Sequence, residues 1–162
     1  MTYNTHIGSL DSYEKGIIDL KDDLRKYAFS NIFEVAGNAK PFERIAVVQN
    51  LEYVAEVTRV EGESPWYAAP HDEFVIVMEG EITFNFIKLE DDQVPSHEGG
   101  AVQLGGRPNG ASMGRVIARR GHQVLLPKGS AYQLTSKAPG VAIVQTVDGP
   151  LTQKRWSEIC AV

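Results

Sequence analysis

Between Arg44 and Val147 the chain is written in short segments rich in Val, Ile, Thr, Phe and Tyr, each stopped by Gly, Pro or a polar pair. This rhythm constrains the fold more than any other feature. The segments are 44–49, 53–60, 73–78, 81–89, 115–118, 123–126 and 141–147. Short strands at this spacing, with no helical pattern between them, predict an all-β sandwich or a double-sheet jelly roll. Glu79-Gly80 reads as a tight hairpin connection, and Pro127-Lys128-Gly129 as a turn whose Gly supplies positive φ.

Two stretches break the rhythm. Residues 12–29, SYEKGIIDLKDDLRKYAF, place Ile17, Ile18, Leu20, Leu24 and Tyr27 near helical spacing and predict one amphipathic helix. Residues 91–114 hold six glycines and two prolines with no apolar period. So long a loop in a compact domain is expected to be a lid, an arm that orders against a partner, or plain disorder. The organisation that follows is an N-terminal helical arm over 1–42, one core over 43–150 that contains the loop, and a C-terminal tail over 151–162.

With 162 residues the chain fits one domain. It has neither an apolar run near membrane-spanning length nor a charged-then-apolar leader, so a soluble cytoplasmic protein is expected. The net charge of −5, with basic residues scattered apart from Arg119-Arg120, argues against a nucleic-acid partner. Cys160 is the only cysteine, which excludes an internal disulfide and a cysteine zinc site and fits a reducing compartment. Residues 73–78 and 82–89 are apolar on both strand faces, so the outer sheet surface calls for cover by the N-terminal helix or another subunit, and an oligomer is expected.

The chemistry concentrates in PHDEFVIVMEGE, residues 70–81. His71 and Glu73 stand two apart, on one face of a strand, like half of a metal site. Further on, Gly121, Pro127 and Gly129 match the second cupin signature, G-x5-P-x-G-x2-H-x3-N, with Tyr132 in place of its His and Ser136 in place of its Asn. Glu73 and Gly80 keep the Glu-to-Gly spacing of the first signature, G-x5-H-x-H-x3,4-E-x6-G. Its two His positions are taken by Trp66 and Ala68, or by Tyr67 and Ala69.

The stretch from Arg44 to Val147 therefore resembles the cupin superfamily, which implies a cupin-type jelly roll with its metal, when present, between the two motifs. His71 and Glu73 are the only weak metal candidates, completed by Tyr132 or His122 if at all; His6 and His97 lie in segments expected to be mobile. No metal is expected on this chain, and Glu73 is expected to be a buried carboxylate hydrogen-bonded by Tyr132 or His71.

The whole chain is similar to the small subunit of the two-component hydroquinone 1,2-dioxygenases. That resemblance implies iron(II)-dependent cleavage of hydroquinone by O2 to 4-hydroxymuconic semialdehyde in aromatic degradation, with the iron on a larger cupin subunit. This chain would be a non-catalytic supporting subunit whose vestigial pocket is flanked by Trp66, Tyr67, His71, Glu73 and Tyr132. Two other classes stay open: a stand-alone metal-independent isomerase or lyase with Tyr132 and His71 as acid and base, and a non-enzymatic module binding a small aromatic ligand.

Overall fold

A computed structural model describes residues 3–5, 16–20, 26–96 and 99–159, and the side chains from residue 30 onward within that range. Strands β1 (Tyr3–Thr5), β2 (Gly16–Leu20) and β3 (Lys26–Phe29) pair in succession and lead onto the edge of β4 (Arg44–Asn50). The single helix expected over 12–29 is thus corrected at 16–20 and 26–29, which are strands; the rest of that span lies outside the described residues. Local chemistry explains the change. Gly16 would cost about 1 kcal/mol in a helix interior, and the β-branched pair Ile17-Ile18 favours extended backbone.

Helix α1 (Ile32–Gly37) follows, capped by Asn31, whose Oδ1 accepts the Phe33 N–H at 2.9 Å. The remaining elements are β5 (Tyr53–Glu63), β6 (Tyr67–Ala68), β7 (Glu73–Glu79), β8 (Glu81–Lys88), β9 (Val102–Gln103), β10 (Ser112–Arg119), β11 (Gln123–Leu126), β12 (Ser130–Val147), β13 (Thr152–Gln153) and α2 (Trp156–Ile159).

These strands form two layers joined by β12. Its first half, from Ser130 to Thr135, pairs with β8, and β8 pairs with β10. Its second half, from Val141 to Val147, lies between β5 and β7, and β7 pairs with β11. The register shift between Ser136 and Gly140 marks the corner where one strand changes sheets. Ser136 Oγ lies 2.9 Å from the Glu81 carbonyl and 2.6 Å from that of Ala138, fixing the bend.

Strand alternation fills the space between the layers. Val75 and Val77 of β7, Ile82, Phe84 and Phe86 of β8, and Ala142 and Val144 of β12 all turn inward and are buried. On the outer side α1 and α2 bring Val35, Ala36 and Ile159 against Ile45, Val47 and Val57, so helices cover part of the outer sheet. Cover stops short of β11, where Leu125 remains 56% exposed.

The glycine-rich stretch is built into the fold at both ends. It opens with a single 3-10 turn, Asp91–Gln93, then β9 pairs with β6 and the Leu104 N–H donates to the Trp66 carbonyl at 2.8 Å. Two glycines are required by close approach: a Cβ on Gly100 would lie 2.2 Å from the Val147 carbonyl oxygen, and one on Gly110 would lie 2.0 Å from that of Lys88. Residues 97 and 98, including His97, lie outside the description, as do His6 and Cys160.

Candidate functional site

Four strands deliver the polar groups that meet inside the barrel. Glu73 opens β7, Tyr132 is the third residue of β12, Tyr67 opens β6 directly opposite Tyr132, and Arg44 opens β4. Arg44 is the residue that the sequence motifs do not point to. Its Nη1 donates to Glu73 Oε1 at 3.1 Å, and its Nη2 donates to the Tyr132 hydroxyl at 2.6 Å. The Tyr132 O–H in turn donates to Glu73 Oε2, closing a ring of three side chains.

The guanidinium also faces aromatic rings, its Cζ standing 5.0 Å from the Tyr67 centroid and 5.8 Å from that of Tyr132. Glu73 and Tyr132 are each 1% exposed. Beside them Glu56 Oε2 lies 3.6 Å from Arg44 Nη1, an ion-pair distance too long for a hydrogen bond, while Glu56 Oε1 accepts from Thr152 Oγ1 at 2.6 Å.

The electrostatics follow from this enclosure. Burial works against the Arg44 charge, but Tyr132, Glu73 and Glu56 outweigh it and hold the guanidinium pKa well above its ordinary value. Burial lifts Tyr132 well above the usual phenol range, with Glu73 adding to the shift and Arg44 opposing it, so the phenol keeps its proton and donates it to Glu73. Burial also raises Tyr67, with Arg44 pulling the other way.

Little space remains in this interior. The cavity lined by Arg44, Tyr67, Tyr132 and Phe42 measures about 10 Å³, at or below the roughly 10–15 Å³ that one water needs. Phe42 closes it while holding φ at 64°, a left-handed conformation that costs a bulky residue about 1–3 kcal/mol. An aromatic substrate finds no room here.

Of the five residues singled out in the sequence, Tyr67, Glu73 and Tyr132 come together and the other two do not. Trp66, just before β6, packs apart from Tyr67 with Ile87, Leu89 and Ala131, and borders an open depression of about 360 Å³ that also holds Arg107 and Arg115. Arg107 sets its guanidinium 6.0 Å from the Trp66 ring centre. His71 precedes β7 and escapes the strand alternation that would have aligned it with Glu73. Its Nε2 lies 3.1 Å from Thr146 Oγ1, in a depression that Glu73 borders and Tyr132 does not, and the hydrogen bonds to the Glu73 carboxylate come from Arg44 and Tyr132.

His122 Nδ1 accepts the Arg119 N–H at 3.1 Å within a turn. Among the described residues no three His, Cys, Asp or Glu side chains gather as a metal would require. The residues between the two motifs do not fit the metal of a cupin centre, because a guanidinium already bonds both Glu73 and Tyr132.

No protein-family model and no curated protein sequence matches this chain. Solved structures do. A chain of hydroquinone 1,2-dioxygenase PnpCD, in complex with Cd2+ and 4-hydroxybenzonitrile, is 47% identical with a TM-score of 0.80, over 98% of this chain and 97% of that one. The hydroquinone 1,2-dioxygenase from Sphingomonas sp. TTNP3, with 4-hydroxybenzoate bound, is 41% identical with a TM-score of 0.81, over 98% of both chains.

The chain belongs to the hydroquinone 1,2-dioxygenase family.

It corresponds to one kind of hydroquinone 1,2-dioxygenase chain and differs from another. A chain of PnpCD in complex with Fe3+ shares the fold at a TM-score of 0.58 and 15% identity, over 74% of this chain but only 32% of that one. PnpCD therefore contains a second chain more than twice as long, with the same jelly roll inside it. Metal ions accompany these hydroquinone 1,2-dioxygenase complexes.

Proposed function

We propose that this chain is the small, metal-free cupin subunit of a cytoplasmic dioxygenase that opens hydroquinone to 4-hydroxymuconic semialdehyde, with iron(II) held by a larger cupin partner. The observation that carries this reading is the 47% identity to a PnpCD chain of matching length, set against a longer PnpCD chain that shares only the fold. The interior of this chain is consistent with a supporting part. Its two motifs are tied by Arg44, and its cavity has no room for a ring.

The work of this chain is then done by surfaces. Trp66, Arg107 and Arg115 present an open depression, while Tyr67, Glu73 and Tyr132 keep the strands behind it in register. An acid–base pair of Tyr132 and His71 gains no support from the geometry, since the phenol is enclosed and His71 is engaged elsewhere.

Purifying the tagged chain from its native host tests the proposal. Recovery of a longer cupin chain, stoichiometric iron in the pair and hydroquinone-dependent O2 uptake only by the pair are the expected results. A homo-oligomer that consumes hydroquinone and O2 without any second chain would overturn it.

A further inference from the structure

We infer that the Arg44 guanidinium is a resident cation of this chain, standing between the two cupin motifs in place of a divalent metal. The inference rests on the interior of this chain alone, and its failure would leave the subunit assignment untouched.

Three observations support it. The first is position. Glu73, the one residue that matches the first motif's ligand set, and Tyr132, at the His position of the second motif, are hydrogen-bonded by the two terminal nitrogens of one guanidinium. One cation thus bridges the two motifs, as a metal would.

The second is charge. Glu73 and Glu56 both turn into the same buried space, and Arg44 is the cation within ion-pair distance of both. Two carboxylates buried together require a positive partner. The third is space. The enclosed space between Arg44, Tyr67 and Tyr132 is only about 10 Å³, so a metal ion between the two motifs would have to displace the guanidinium rather than join it; the open depression of about 300 Å³ that Arg44 also borders is lined by neither Glu73 nor Tyr132. A metal seated there would also meet a fixed like charge on a covalent tether. The site is therefore shut by what Arg44 adds as well as by the imidazoles it lacks, and removing Arg44 is the change that should open it.

The test uses the full chain and Mn²⁺ as probe, reading the thermal unfolding midpoint with and without the ion and binding by equilibrium dialysis. Wild type is expected to show a midpoint indifferent to Mn²⁺. Arg44→Ala is expected to melt lower, to recover in Mn²⁺ and to bind it more tightly than wild type by roughly tenfold or more. Since surface carboxylates are common to both proteins, that difference reports on the interior.

Because Arg44→Ala leaves two buried carboxylates without their cation, a charge-neutral variant, Arg44→Met with Glu56→Gln and Glu73→Gln, is made beside it. It is expected to fold with no cation and to ignore Mn²⁺. Equal Mn²⁺ affinity in wild type and Arg44→Ala, no recovery of Arg44→Ala in Mn²⁺, or a charge-neutral variant that fails to fold would each overturn the inference.

Discussion

Arg44 carries one positive charge among two buried carboxylates, and the imbalance falls on Glu56. Glu73 is bonded by both Arg44 and Tyr132, whereas Glu56 Oε2 has no hydrogen-bond partner among the described residues. Removing Glu73 leaves Arg44 with Glu56 alone as a carboxylate, at a distance too long for a hydrogen bond, and leaves the Tyr132 hydroxyl without its acceptor, so Glu73→Ala is expected to lower stability by about 3–5 kcal/mol in urea unfolding.

Glu56 has a different signature. Burial raises its carboxyl pKa above the ordinary 4.5, with Glu73 and Asp148 reinforcing the rise and Arg44 and Thr152 opposing it. A raised carboxyl binds its proton more tightly in the folded chain than in the unfolded one. Its contribution to stability is therefore complete below the ordinary value and is lost as pH climbs through the raised one. Glu56→Gln has no such loss, so its stability relative to wild type is expected to improve as pH rises above 4.5 and to level off once the raised value is passed, as urea titrations at several pH values would register.

At the scale of elements, close backbone approaches and inward strand faces decide what each segment tolerates. Gly110→Ala would press a methyl group against the Lys88 carbonyl and is expected to cost about 1–3 kcal/mol, with faster proteolytic cleavage within 91–114. Phe84→Ala on the inner face of β8 is expected to cost about 3–5 kcal/mol by thermal or urea unfolding.

Strand alternation made most of this legible. The segment 123–126 coincides with β11, 73–78 falls one residue short of β7, and the inward set Ile82, Phe84 and Phe86 follows from period two alone. The first half of β12 escaped notice because Ser130, Gln133 and Ser136 look like a loop, although all three are buried, the first two in the pairing with β8 and Ser136 opposite Gly62 of β5 at the corner. Arg44 escaped because it stands outside both motifs and its partners are 29 and 88 residues away, and local pattern carries no record of such contacts. One signal was available: Val54, Glu56, Thr58 and Val60 share a strand face, and a carboxylate between buried valines needs a cation.

For the molecule as a whole, β12 makes two sheets into one cooperative unit. Trp66 packs beside the layer of β8, and Trp156 packs outside the layer of β4 and β5. Single-tryptophan variants, Trp66→Phe and Trp156→Phe, are expected to report the same fluorescence midpoint in urea as the circular dichroism of each variant. Separate midpoints would mean that the layers open independently.

The shared strand also sets a timetable for synthesis. Without β12, the pairs β4–β5, β7–β11 and β8–β10 remain as separate ribbons that no other strand pairing joins among the described residues. β5 must wait for β12, in closures that run from 72 residues (Glu63 to Thr135) to 94 residues (Tyr53 to Val147). A nascent chain therefore carries unpaired strand edges until the segment from Ser130 onward has left the ribosome, and protection during that interval falls to chaperones.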